Sequence, residues 1–105
     1  MSLDVWLTKK VSVYEWNITH NLVPMAEKAG IYEVLWHPET LGYTKAKHLI
    51  PRLTEGLAAL KRDPESLRPF EPENGWGCYD DLVRFVESYL AACQSEPEAK
   101  IKVSP

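Results

Sequence analysis

In the stretch Leu3-Asp4-Val5-Trp6-Leu7-Thr8-Lys9-Lys10-Val11-Ser12-Val13-Tyr14-Glu15-Trp16, apolar and polar side chains alternate twice over. Leu3, Val5 and Leu7 fall on one side of the first run, Asp4 and Trp6 on the other. After Lys9-Lys10 the period resumes, with Val11, Val13 and Glu15 on one side and Ser12, Tyr14 and Trp16 on the other. A period of two in residues rich in β-branched and aromatic side chains specifies strands, and a short polar break between them specifies a hairpin. The turn at Lys9-Lys10 contains neither Gly nor Asn, so the sequence does not fix its type.

At the other end, Ala99-Lys100-Ile101-Lys102-Val103 alternates in the same way and reads as a closing strand. Between the two lies the helical part of the chain. Leu82, Phe85, Val86, Tyr89, Leu90 and Cys93 recur at the spacing of one face of an amphipathic helix, with Asp80 and Asp81 in its first turn, where the helix dipole favours negative charge. Thr44 to Arg62 places Ala46, Leu49, Ile50, Leu53, Leu57 and Leu60 on one stripe. Pro51 interrupts it by removing the bond to the Lys47 carbonyl, which predicts a kink or a break.

A short helix is expected near Asn21 to Ala29, and Ile31 to Trp36, whose pattern fits a short helix or a strand, is read as a second. Asn21 suits an N-cap, Pro24 falls in the first turn, and Gly30 is placed to end the helix in the left-handed conformation with Ile31 folding back on it. His37-Pro38 stops the second, because the residue before proline avoids the α region. Asp63 to Asn74 carries Pro64, Pro69 and Pro72 and reads as a connection with one helical turn, followed by the tight loop Asn74-Gly75-Trp76-Gly77. The fold class is therefore α+β: a single domain over 1–105, a small antiparallel sheet (N-terminal hairpin plus C-terminal strand) packed against two main helices and one or two short ones.

With 105 residues, 45% hydrophobic and 26% charged, the chain is long enough to build a core without disulfides. Four Trp, five Tyr and two Phe supply that core and leave aromatics over for a surface. The net charge of −3 disfavours nucleic acid as the main ligand, since phosphate affinity comes from Lys and Arg. No apolar run approaches the roughly 20 residues of a membrane span, and Met1 to Leu7 lacks the basic and apolar regions of an export signal. The cytoplasm is the expected compartment. Cys78 and Cys93 are expected to be free thiols there, and the glycosylation acceptor pattern Asn17-Ile18-Thr19 is without consequence.

Asn17, Thr19, His20 and Asn21 gather where a strand hands over to a helix, a place where backbone amides can meet an anion or a small polar ligand. The structural alternative is that Asn17 and Thr19 satisfy the turn, Asn21 caps the helix and His20 bonds to a carbonyl. Trp76 and Tyr79 offer an exposed aromatic surface for a partner or a flat ligand; alternatively the glycines allow the turn and Trp76 plugs the core. Cys78 and His20 are the candidates for a thiol–imidazole pair, opposed by the charges of Asp80 and Asp81 and by the absence of a flanking signature. His20, His37, His48, Cys78 and Cys93 form no close pair of the zinc-binding kind, so no metal and no cofactor is expected.

Basic residues (Lys45, Lys47, Arg52, Lys61, Arg62) collect along the Pro51 helix, and acidic ones (Asp63, Glu65, Glu71, Glu73, Asp80, Asp81) follow it. Such asymmetry can guide a protein partner or self-association, and can equally be a solvated surface. The strings Asn17-Ile18-Thr19-His20-Asn21-Leu22, Met25-Ala26-Glu27-Lys28-Ala29-Gly30-Ile31-Tyr32, Leu35-Trp36-His37-Pro38-Glu39 and Asn74-Gly75-Trp76-Gly77 resemble a group of small uncharacterised proteins of bacterial and phage genomes. That resemblance implies no activity, cofactor or site residue. The expected function is a noncatalytic domain that binds another protein or itself. The alternative is a small-molecule-binding protein or enzyme built on Asn17, His20 and Asn21.

Overall fold

The computed structural model describes residues 1–9 and 12–105. Lys10 and Val11, which hold part of the expected turn and the start of the second strand, lie outside the described residues. Strand β1 (Ser2–Thr8) pairs antiparallel with β2 (Ser12–Thr19) on one side and with β3 (Lys100–Ser104) on the other, giving the order β2-β1-β3. The class is α+β, as the two alternating ends of the chain imply.

The register follows from burial. Leu3, Val5 and Leu7 of the central strand are fully buried. They face Ile18, Trp16 and Tyr14 in β2, and Leu7 and Val5 also face Ile101 and Val103 in β3. A slip of one residue would turn Asp4 and Trp6 inward, so the alternation pins the pairing. Asp4, Trp6, Glu15, Asn17 and Lys102 share the opposite, solvent side, where Lys102 Nζ sits 5.0 Å from the centre of the Trp6 ring; the register slips at Val13, so that Leu7 pairs with Tyr14 and Thr8 with Ser12.

Helix α1 (Val23–Lys28) is entered through a 3-10 turn at His20–Leu22. The N-cap predicted for Asn21 is not made: Thr19 Oγ1 accepts the Asn21 amide (3.3 Å), and the Asn21 side chain points elsewhere. The exit is as the sequence implies. Gly30 has φ +78°, its amide donates to Glu27 O (3.1 Å), and the Ile31 amide donates to Ala26 O (2.9 Å), a complete Schellman motif. Helix α2 (Tyr32–Trp36) stops at His37, and a 3-10 turn occupies Pro38–Leu41.

Helix α3 (Ala46–Arg62) passes through Pro51 without a break. Pro51 and Lys47 are both exposed, so the carbonyl that loses its partner stands open to water, which lowers the penalty of an interior proline. At its start, His48 Nδ1 accepts the amides of Thr44 (3.2 Å) and Lys45 (3.1 Å), two donors that the first turn leaves free. Helix α4 (Pro64–Leu67) is one turn, as expected between prolines. Helix α5 (Tyr79–Ser95) begins with a reciprocal cap: the Cys78 amide donates to Asp81 Oδ2 (3.1 Å), and the Asp81 amide approaches the Cys78 thiol.

The apolar stripes of α3 and α5 meet each other and the sheet. Leu49, Leu53, Leu60, Leu82, Phe85, Val86, Tyr89 and Cys93 are all fully buried in one cluster with Leu3, Val5 and Leu7. Each such large side chain contributes on the order of 1.5–3 kcal/mol by leaving water. Among the described residues no helix is long and apolar enough to cross a membrane.

Candidate functional site

The turn after β2 and the loop before α5 are brought into contact. Asn21 Nδ2 donates to Trp76 O (3.3 Å), across 55 residues of sequence. Gly77, with φ +105°, lies so close that an added Cβ would stand 2.7 Å from Thr19 Cγ2 and 3.1 Å from Leu22 Cγ. Glycine is needed there on both counts. Asn74 Oδ1 accepts the Trp76 amide (3.0 Å) and closes the loop on itself. Thr19, His20, Asn21 and Trp76 are thus neighbours.

Two of the expected site residues stand apart from this junction. Asn17 is exposed on the solvent side of β2 opposite Asp4, and its side chain makes no hydrogen bond among the described residues. Tyr79 is buried rather than displayed: its hydroxyl donates to Leu60 O (2.6 Å), and Arg68 covers the ring at 5.3 Å. Its position three residues before Leu82 continues the α5 stripe, which is the signal in the sequence that places it inside. Trp76 is the reverse case. It is 71% exposed, so it does not plug the core; the loop is held by Asn21, Asn74 and the close approach at Gly77 instead.

His20 Nε2 and Trp36 Nε1 are both buried without a hydrogen-bond partner among the described residues, and their ring centres lie 6.1 Å apart. Two unsatisfied polar atoms side by side are costly unless a small polar molecule reaches them. The other histidines are committed, His48 to the α3 cap and His37 Nδ1 to Glu39 (3.3 Å). Cys78 is held in the α5 cap, and Cys93 is enclosed in the core, where burial pushes its thiol up to about 12. A thiol so placed stays protonated and is no nucleophile. No cluster of three or more His, Cys, Asp or Glu is poised for a metal among the described residues. A shallow open depression of about 330 Å³ is lined by Glu27, Gly30, Tyr32, Glu33 and Arg52.

The charged helix is less basic than its sequence suggests. Lys45 and Lys47 both pair with Glu98 (3.0 Å each), and Lys61 pairs with Glu87 (2.9 Å). The two ammonium groups hold the Glu98 carboxyl below its ordinary range.

Behind β2, Tyr14 stacks on Tyr89 (5.8 Å between centroids) and donates to Ser88 Oγ (3.1 Å). The Tyr89 hydroxyl is buried and has no hydrogen-bond partner among the described residues, and burial, then the neighbouring Cys93 and Tyr14, push its pKa far above the ordinary 10.0. In the unfolded chain Tyr89 ionises near 10.0. Above that pH the native state therefore holds the extra proton, and stability falls as pH rises. Tyr89→Phe is expected to leave stability at neutral pH unchanged or slightly raised and to flatten the loss above pH 10.0. Urea titrations at a series of pH values check both halves.

The feature that the expected site did not include is the outer edge of the sheet. The far edge of β3 is closed at its start: Lys45 bridges Lys100, Ile101 donates to Thr44 O (3.0 Å), and Ala46 donates to Ala99 O (2.8 Å) just before the strand. The far edge of β2 receives no backbone hydrogen bond from any other element among the described residues. Trp16 is 45% exposed on its helix side, and Val13, unpaired at the register slip, is 40% exposed. Edge strands are ordinarily blunted by Lys or Pro. The segment Ser12–Thr19 has neither, while β3 has Lys100 and Lys102; that contrast is the signal the sequence carries.

No protein-family model matches the chain, and neither the curated proteins nor the solved structures contain a match to it.

Proposed function

We propose that this chain is a noncatalytic binding domain that engages extended polypeptide, its own copies included, by adding a strand to β2. The observation that carries the reading is the contrast between the two sheet edges: the start of the β3 edge is covered by Thr44–Ala46 and the strand carries two lysines, whereas the regular stretch of β2 from Tyr14 to Thr19 offers its edge uncovered. Strand addition draws affinity from main-chain hydrogen bonds and specificity from side chains on alternate positions. Trp16 supplies an exposed apolar contact on the helix side of such a joint. The pairing of Lys45, Lys47 and Lys61 with acidic neighbours argues against a nucleic-acid surface on α3. The free thiols of Cys78 and Cys93 suit a reducing compartment, and the cytoplasm is the one we propose.

The test is selection from a library of displayed random peptides on immobilised wild-type chain, with every hit re-measured on Trp16→Lys. Peptides that bind wild type and lose at least about tenfold in affinity on the variant support the reading. Hits indifferent to Trp16→Lys, or an absence of both peptide binding and self-association, contradict it.

A second reading, a small-ligand site at the junction of Thr19, His20, Asn21 and Trp76, is favoured by the paired unsatisfied atoms His20 Nε2 and Trp36 Nε1. It requires a compound from a metabolite panel to raise the melting temperature of wild type and not of His20→Ala. A panel without such a compound removes it.

A further inference from the structure

We infer that the occupant of the β2 edge is β2 of a second copy, paired antiparallel about a two-fold axis at Trp16; the inference rests on the strand-addition reading above. The argument begins from the faces of the strand. Tyr14, Trp16 and Ile18 point to the helix side, and Glu15 and Asn17 to solvent. A joint that kept the apolar side continuous would have its two-fold axis normal to the sheet, so that opposed residues share a face. Opposed residues then have the same parity, and the axis must fall on a residue rather than between two.

Few axes remain. At Glu15 the only charged side chain of the strand would face its own copy, and like charges directly opposed are destabilising. At Asn17 the pairing would run past Thr19 into the 3-10 turn at His20–Leu22, which has no strand geometry to offer. At Trp16 the regular stretch from Tyr14 to Ile18 is used, clear of the register slip at Val13, and each opposed pair is matched. Trp16 meets Trp16 of the second copy, Tyr14 meets Ile18, and Glu15 meets the Asn17 amide. Aromatic pairs, aromatic with β-branched pairs and a carboxylate opposite an amide are the combinations that stabilise neighbouring strands. The segment is complementary to itself about that one residue, and it carries no lysine or proline to repel a copy.

The same register explains two exposures at once. Trp16, left 45% exposed beyond the edge of the helical layer, would be covered by its own image. Glu15 and Asn17, which make no side-chain hydrogen bonds among the described residues, would find each other across the axis.

Light scattering across a concentration series reads the stoichiometry, and disulfide trapping reads the register. Wild type is expected to pass from monomer to dimer, with Trp16→Lys raising the dimer Kd at least about tenfold while melting cooperatively. In a Cys78→Ser background, mild oxidation of an equimolar mixture of Glu15→Cys and Asn17→Cys chains is expected to give the mixed disulfide. Each chain alone is expected to stay reduced, because diagonal positions lie about 7–8 Å apart. A wild type that remains monomeric at every concentration, a dimer indifferent to Trp16→Lys, or a homodimeric disulfide from Glu15→Cys alone overturns the inference. A monomer that still binds extended peptides through Trp16 refutes the self-pairing and leaves the strand-addition reading standing.

Discussion

Phe85→Ala is expected to lower the stability of the folded chain by about 3–5 kcal/mol. Phe85 is fully buried on α5, its ring centre 5.7 Å from that of Tyr89, in the cluster shared by α3, α5 and the sheet. Truncation removes the transfer free energy of the ring and leaves a void that neighbours on two layers cannot close together. Domains of this size are stable by only about 5–15 kcal/mol in total, so the loss is a large share. Urea denaturation should show a lower midpoint at an unchanged slope. Phe70, 36% exposed in the proline-rich connection, is the internal control: Phe70→Ala should change stability little. A cost for Phe85→Ala below about 1 kcal/mol would mean that α5 does not seat on the sheet as described.

Gly56→Ala is expected to be destabilising although alanine is the better helix former. Propensity alone would favour the substitution by about 1 kcal/mol. Against that, a Cβ at position 56 would stand 2.0 Å from Ile31 Cγ2, a separation at which something must move. Ile31 is 1% exposed and anchored by the Schellman motif that ends α1, so it has little room to yield. Overpacking of this kind costs about 1–3 kcal/mol and outweighs the gain in propensity. The steric origin is checked by a double-mutant cycle. Ile31→Ala removes Cγ2, so Gly56→Ala should be much less damaging, or even stabilising, in that background. Additive effects would show that the close approach of α3 to the α1–α2 corner is not what requires glycine.

These two positions mark what a reading of the sequence can and cannot reach. The Phe85 stripe is legible because every member obeys one local period, and its start and stop are written in Asp81 and in the polar residues after Cys93. The strands at both chain ends are legible for the same reason, as is the C-cap at Gly30, where a local motif needs a positive φ. Long-range contacts leave no such trace. Asn21 looks like a cap, yet its amide is used 55 residues away on Trp76 O, and Thr19 takes over the local bond. Trp76 looks like a core plug, yet Gly77 brings the loop so close to Thr19 and Leu22 that the tryptophan is turned out to solvent. Pro51 predicts a kink or a break, and of the two the break is not made: its exposed position on α3 lets the helix continue.

The expected site divides on the same line. Thr19, His20 and Asn21 are local neighbours, and the fold keeps them together. Asn17 follows the strand alternation to the opposite side, and Tyr79 follows the helical stripe into the core. The open edge of β2 requires knowing that β1 is central and that Thr44–Ala46 covers the start of β3, neither of which a local pattern states. Only the unequal placement of lysine between the two edges announces it.

The most direct measurement is amide hydrogen exchange at single-residue resolution, repeated at low and high protein concentration. If β2 is the open edge and receives a second copy, alternate amides between Tyr14 and Ile18 should exchange quickly in dilute solution and gain protection as concentration rises. Ile101, already donating to Thr44 O, should be protected throughout. Exchange in β2 that is slow at every concentration, or fast at every concentration, would contradict the account.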